Sequence, residues 1–234
     1  CTSWGKFSRY FYHWAIYDNK NALKNLSLIT SHGFGANNNR IHSKATDFLR
    51  MVKPGLHAWT TSMTWGGKRN MKDYDFVNII RMNIYDAKVN AVIPWAALQT
   101  LTWVGGDPNP GTAFFISEDG NYEIKPQYYY YKQLCMAGRG GMKVALVETE
   151  KESGIELIAF ESNSTENNDA LVIINLSENT KEISVEIDGI ESSAFSVTRS
   201  SETEKNVDLD EITTSGNKLT YKAPGGSVTT FISK

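Results

Sequence analysis

A chain of 234 residues, 41% hydrophobic and 21% charged, has enough apolar content for a real core, so disorder throughout is excluded. Its 24 basic and 26 acidic residues leave a net charge of −2, too weak a field to favour nucleic acid or an anionic membrane surface as partner. No run approaches the roughly 20 apolar residues of a membrane helix, and two cysteines, Cys1 and Cys135, are too few for a disulfide framework.

Cys1 leads almost at once into an amphipathic pattern without an initiator methionine, and the expectation is a cut through a longer protein. Phe7, Phe11, Trp14 and Tyr17, with Tyr10 beside them, recur at helical spacing. A strand is predicted over 26–31, a helix over 43–52 stopped by Pro54 and Gly55, and a second strand over 56–62. Phe76, Ile80, Ile84 and Ala87 predict a helix over 74–88, with Asp73 as its N-cap, and a third strand follows over 91–98. The last helix starts at Pro126, runs through four consecutive tyrosines and ends near Gly138. Strand, polar or glycine-rich loop and helix, repeated, is parallel α/β organisation, with three strands side by side and a ligand site at their C-terminal edge. The residues arriving there lie in 32–39, 61–67 and 95–107.

From residue 142 the pattern changes to short alternating segments: 144–148, 155–161, 170–176, 183–187, 195–199, 219–222 and 228–232, separated by turn residues such as Asp188-Gly189. Seven strands in roughly 90 residues is a sandwich-like count. The boundary is placed at 140, giving 1–140 and 141–234 as two regions, the second structural or accessory. Aromatics make up 12% of the chain and concentrate in the first region beside Asn, Thr and Gly. That mixture suits a sugar, whose C–H faces stack on flat rings while its hydroxyls take neutral hydrogen-bond partners.

Three stretches resemble the clan A glycoside hydrolases, most closely family 30. Lys53-Pro54-Gly55-Leu56-His57-Ala58-Trp59-Thr60-Thr61-Ser62 is similar to the family's seventh barrel strand, which follows a Lys-Pro pair and runs Trp-x-Thr-Glu. Residues 89–99, with Pro94-Trp95, are similar to the eighth strand, where an aromatic commonly forms a sugar platform. Residues 120–133 with Arg139-Gly140-Gly141, and the terminal Ala223-Pro224-Gly225-Gly226-Ser227-Val228-Thr229-Thr230-Phe231, are similar to the closing helix and the last strand of the appended sheet domain. The resemblance implies the C-terminal part of a (β/α)8 TIM barrel, strands six to eight, followed by a small antiparallel β-sandwich. It also implies a retaining O-glycosyl hydrolase acting on β-linked glycans, without cofactor, secreted or periplasmic, and monomeric when complete. The general acid/base, a Glu after the fourth strand, would lie upstream of Cys1.

Retaining hydrolysis needs two carboxyl groups about 5 Å apart, one of them an ionised nucleophile. The resemblance puts Ser62 at the nucleophile position, where a hydroxyl with no adjacent base is not competent; aligning Trp65-Gly66 with the aromatic-Gly pair that often follows the nucleophile puts Thr64 there instead. Asp107, in Gly105-Gly106-Asp107-Pro108, could reach a ligand or simply form a turn, and Glu118, Asp119 and Glu123 surround Gly120 in what reads as a solvated turn. His32, followed by Gly33-Phe34-Gly35, could bond a sugar hydroxyl, while His13, His42 and His57 read as structural. No metal-ligand spacing occurs, and the glycine run lacks the rest of a dinucleotide fingerprint. The expected substrate-binding set is therefore His32, Trp59, Trp65, Trp95 and Asp107, facing an oligosaccharide or polysaccharide. Two alternatives stay open: a catalytically inactive or nucleophile-disabled carbohydrate-binding homologue, and a non-enzymatic interaction module in which Trp59, Trp65, Trp95 and Trp103 are buried core.

Overall fold

The computed structural model describes residues 14–32, 44–65, 72–100, 112–150, 153–189 and 192–234. Phe7, Phe11, Tyr10 and residues 33–43 and 101–111 lie outside them. Residues 14–18 are helical and lead into α1 (Lys20–Asn25), capped by the Asn19 side chain, which accepts from the Ala22 amide. The strands β1 (Leu28–Ser31), β2 (His57–Thr64) and β3 (Ala91–Trp95) alternate with α2 (Lys44–Val52) and α3 (Asp75–Tyr85). They form one parallel sheet in the order β1-β2-β3, as the strand–helix alternation predicts. Ile29, Leu49, Leu56, Ala58, Ala87 and Val89 pack between this sheet and its helices. The Arg50 guanidinium donates to the carbonyls of Leu56 and Lys88 and to the Asn90 side chain, tying together the approaches to β2 and β3.

Two details depart from the sequence expectation. Asp73 is not the N-cap of α3: Tyr74 holds that place with no side-chain cap, and the Asp73 carboxylate accepts instead from the Gln127 amide of the last helix. The predicted strand over 91–98 is two strands. β3 ends at Trp95, the Trp95–Ala96 peptide is cis, and β4 (Leu98–Thr100) joins a separate sheet with β5 (Phe114–Ile116) and β6 (Tyr122–Ile124) in the order β4-β5-β6. The Thr112 hydroxyl sits within hydrogen-bond distance of the Ala96 and Ala97 carbonyls and fixes the break.

The last helix, α4 (Pro126–Ala137), begins on proline and is capped at Gly138. Beyond it β7 (Lys143–Ala145), β8 (Ile155–Glu161), β9 (Ala170–Asn175), β10 (Lys181–Glu186), β11 (Ala194–Ser200), β12 (Val207–Thr213), β13 (Lys218–Ala223) and β14 (Ser227–Ser233) follow. Six of them make an antiparallel sheet in the order β12-β11-β14-β9-β8-β7, and β10 and β13 make a two-stranded ribbon. The extra strand is β12, whose Asp208, Asp210 and Glu211 break the apolar alternation; it is an edge strand, where charge discourages further pairing.

The six-stranded sheet is covered on both faces. Leu157, Leu171, Ile173, Phe195 and Phe231 pack with Leu219 and Tyr221 of the ribbon on one side. Ile158, Phe160, Val172, Ile174 and Val228 pack on the other with Phe76, Val77 and Ile80 of α3 and Tyr130 and Leu134 of α4. Polar ties cross the same junction: Arg81 pairs with Glu156 at 2.6 Å, and the Tyr85 hydroxyl donates to the Ala145 carbonyl while accepting from the Ala159 amide. The two halves of the chain thus share a core.

Candidate functional site

The C-terminal ends of β1, β2 and β3 lie along one edge, reached by His32, by residues 61–65 and by Trp95. Along β2 the odd and even side chains should alternate between the two sheet faces. Ala58 packs with Leu49 and Val89, and the Thr60 hydroxyl donates to Asn83 of α3 at 2.7 Å, so even positions face the helices. Trp59 and Thr61 then take the opposite face, with Trp59 half-buried beside Thr30 of β1 and Ala91 of β3.

At Ser62 this alternation slips. Thr61 registers with Ile93 and Met63 with Pro94, so Ser62 is the extra residue of a β-bulge. The bulge carries odd-numbered Met63 and Trp65 to the helix side. The Asn83 amide approaches the Met63 sulfur at 3.9 Å, and Trp65 stacks on Phe76 at 5.4 Å and meets the edge of Tyr131 at 5.2 Å. Trp65, expected at the ligand-facing edge, is therefore only 5% exposed, in the core beneath α3 and α4, and its indole nitrogen has no hydrogen-bond partner among the described residues. Tyr131 also donates to the Val92 carbonyl, bracing β3 from below, and burial pushes its hydroxyl well above the ordinary tyrosine value, so it stays a donor.

Trp95 keeps an open face. It is 50% exposed at the end of β3, in register with Thr64, and Ile93 two residues before it is 44% exposed on the same side. His32, directly after β1, is half-buried. His57 is exposed at the opposite, N-terminal end of β2, and Asp107, Trp103, His13 and His42 lie outside the described residues. One group the sequence reading did not single out is Gln99 of β4: it is 2% exposed, and neither amide atom has a hydrogen-bond partner among the described residues. Its signal, an amide among apolar strand residues, is too common to have been decisive.

Three carboxylates outside the parallel sheet have partners of their own. Asp119 accepts from the Ser117 hydroxyl and the Asn121 side chain in the β5–β6 turn; those hydrogen bonds hold its carboxyl below the usual range. Glu123 pairs with Lys125 at 2.8 Å. Asp73, before α3, is half-buried, and burial together with Glu202 raises its carboxyl above the ordinary value. Among the described residues no group of three His, Cys, Asp or Glu could hold a metal ion.

No protein-family model matches the chain, and no curated protein sequence does. Solved structures do match. A family 30 endoxylanase from Clostridium papyrosolvens is 17% identical with a TM-score of 0.74, covering 94% of this chain and 52% of its own. The catalytic domain of family 30 xylanase C from Talaromyces cellulolyticus is 17% identical with a TM-score of 0.74, covering 100% of this chain and 51% of its own. A conserved exported protein from Bacteroides fragilis is 15% identical with a TM-score of 0.63, covering 88% and 46%. The chain spans about half the length of the structures it matches. At these identities the likeness is one of fold: over most of its length the chain is folded like part of these family 30 structures.

Proposed function

We propose that this chain is the C-terminal portion of a family 30-like O-glycosyl hydrolase acting on β-linked glycans, with residues 1–140 forming strands six to eight of a (β/α)8 barrel and residues 141–234 a β-sandwich. The observation that supports it most is the parallel β1-β2-β3 edge carrying Trp95 half exposed, in a chain that matches family 30 xylanases over nearly all of its length. On this reading the Trp95 ring takes the C–H face of a sugar and His32 offers a hydrogen-bonding group beside it. Ser62 occupies the nucleophile position, and a retaining mechanism there would require a carboxylate. A polysaccharide substrate places the protein outside the cell or in the periplasm.

Ser62 itself favours a second reading, a homologue that holds glycan without cleaving it. The two are separated by assaying the full-length protein on aryl β-glycosides and on β-linked polysaccharides, beside Ser62→Glu. Hydrolysis by the unaltered protein supports the first reading. Binding without turnover, with hydrolysis gained in Ser62→Glu, supports the second. A folded protein that neither binds nor cleaves any glycan in such a panel refutes both.

A further inference from the structure

We propose that Asn163 is an acceptor for an N-linked oligosaccharide when the chain passes through a secretory compartment that holds an oligosaccharyltransferase. The sequence has three Asn-x-Ser/Thr triplets without a central proline: Asn25-Leu26-Ser27, Asn163-Ser164-Thr165 and Asn175-Leu176-Ser177. A triplet is necessary but not sufficient, because the transferase must reach the carboxamide nitrogen. The fold treats the three differently.

Asn175 is fully buried at the end of β9. Its Nδ2 lies within hydrogen-bond distance of the carbonyls of Asn179, Ala223 and Pro224, and its Oδ1 accepts from the Ser177 amide and hydroxyl. A glycan on that nitrogen would break the bonds that join β9 to the end of β13. Asn25 is exposed but closes α1: its amide donates to the Asn21 carbonyl one turn back, and Leu26 beside it packs on the core.

Asn163 is exposed in the connection between β8 and β9. The Thr165 amide donates to the Ser162 carbonyl at 3.0 Å, and the two residues between have φ of 51° and 62°. Two consecutive positive φ values inside such a closure make a tight hairpin-type turn whose central side chains stand clear of the sheet. One hydrogen of the Asn163 carboxamide is engaged with the Gly141 carbonyl at 2.8 Å, which leaves the second free for substitution. The Thr165 hydroxyl is ordered by donation to the Ser162 carbonyl.

The transfer is a displacement at an anomeric carbon. The bond from Nδ2 to that carbon forms, and the carbon–oxygen bond to the pyrophosphate of a polyprenyl-pyrophosphate-linked oligosaccharide breaks. The leaving pyrophosphate carries the electron pair, the proton lost from Nδ2 balances it, and nothing is oxidised or reduced. The proposal rests on the extracellular part of the function proposed above. The experiment supplies the secretory route itself, so its failure is distinct from a failure to act on glycans.

The full-length protein, fused to a cleavable signal sequence, is translated with microsomes, and the protease-protected fraction is treated with peptide N-glycosidase and mapped by mass spectrometry. Asn163 is expected to be recovered as aspartate in most copies and Asn175 as asparagine. Thr165→Ala should abolish the conversion at Asn163 and Ser164→Ala should retain it, with both variants showing the circular dichroism of the unaltered chain. Asn163 recovered unconverted in a fraction whose control glycoprotein is fully modified overturns the proposal.

Discussion

Replacing Gly138 by alanine places a new Cβ 2.5 Å from Cζ of Phe160 and 2.8 Å from Cε1, inside any tolerable carbon–carbon contact. Phe160 is 9% exposed in the cluster that joins α4 to the six-stranded sheet, so its ring has little room to recede. The backbone is not at fault, because Gly138 has φ of −100°, which alanine adopts freely. Overpacking of this kind costs about 1–3 kcal/mol, and the reduced entropy of the unfolded chain returns about 0.4–1 kcal/mol, leaving a net loss of roughly 1–2 kcal/mol. That corresponds to a fall of roughly 2–8 °C in Tm for a chain of this size. Gly140, two residues on, is the internal control: a Cβ there meets nothing within 4 Å. Gly140→Ala should be neutral or slightly stabilising. Urea titrations of both variants beside the unaltered protein decide the matter, and equal stability of Gly138→Ala and Gly140→Ala would refute the packing of α4 on β8 described above.

Asp73→Asn should stabilise the protein at neutral pH, because a carboxyl raised by burial and by Glu202 contributes stability below its unfolded value that is lost as pH rises through its folded value. The advantage should vanish in acid, as read from Tm across pH. Glu204 has the opposite sign: Arg199 donates to both its oxygens, at 2.6 and 2.5 Å, and holds the carboxyl low. Glu204→Gln should therefore cost about 1 kcal/mol at neutral pH and progressively less as pH falls through the lowered value. For ligand binding, Trp95→Ala should weaken glycan affinity by about 1 kcal/mol, near fivefold in Kd, with Tm unchanged. Trp65→Ala should lower Tm by a core-cavity amount instead; the reverse pattern in titration and melting would exchange the two roles.

The parallel sheet was legible because three apolar runs of strand length are each followed by a polar stretch, and β1, β2 and β3 begin within those runs, the third ending early at Trp95. The last helix was legible from Pro126 and Gly138, residues whose backbone preferences mark helix ends. What the sequence hides is contact chemistry. Asp73 has the residue type and position of an N-cap, but a partner 54 positions away, Gln127, takes its carboxylate. β12 reads as a loop because its acidic residues are tolerated only on a sheet edge, and edge position is decided by the pairing of β11 with β14. Of the expected binding set, Trp95 and Trp65 look alike in sequence; the first is half exposed and the second is core.

That last difference traces to one residue. Strict alternation from Trp59 would put Met63 and Trp65 on the same face as Trp59, away from α3; the bulge at Ser62 puts both against it. Deleting residue 62 would let Met63 follow Thr61 directly in the register already held against Ile93 and Pro94, so Met63 and Trp65 would keep the α3 side without the bulge. A substitution at 62 leaves the residue count and hence the bulge intact. Deletion of residue 62 and Ser62→Ala should therefore both leave Trp65 stacked on Phe76 and Tyr131 and unfold cooperatively. Trp65→Ala, which removes the ring, should cost about 3–5 kcal/mol. A deletion as costly as Trp65→Ala in urea titration would show that the register of β2 on β3 does not survive loss of the extra residue. With the bulge intact, a change in activity on introducing a carboxylate at 62 reports the chemistry at that position, separately from the packing of the strand.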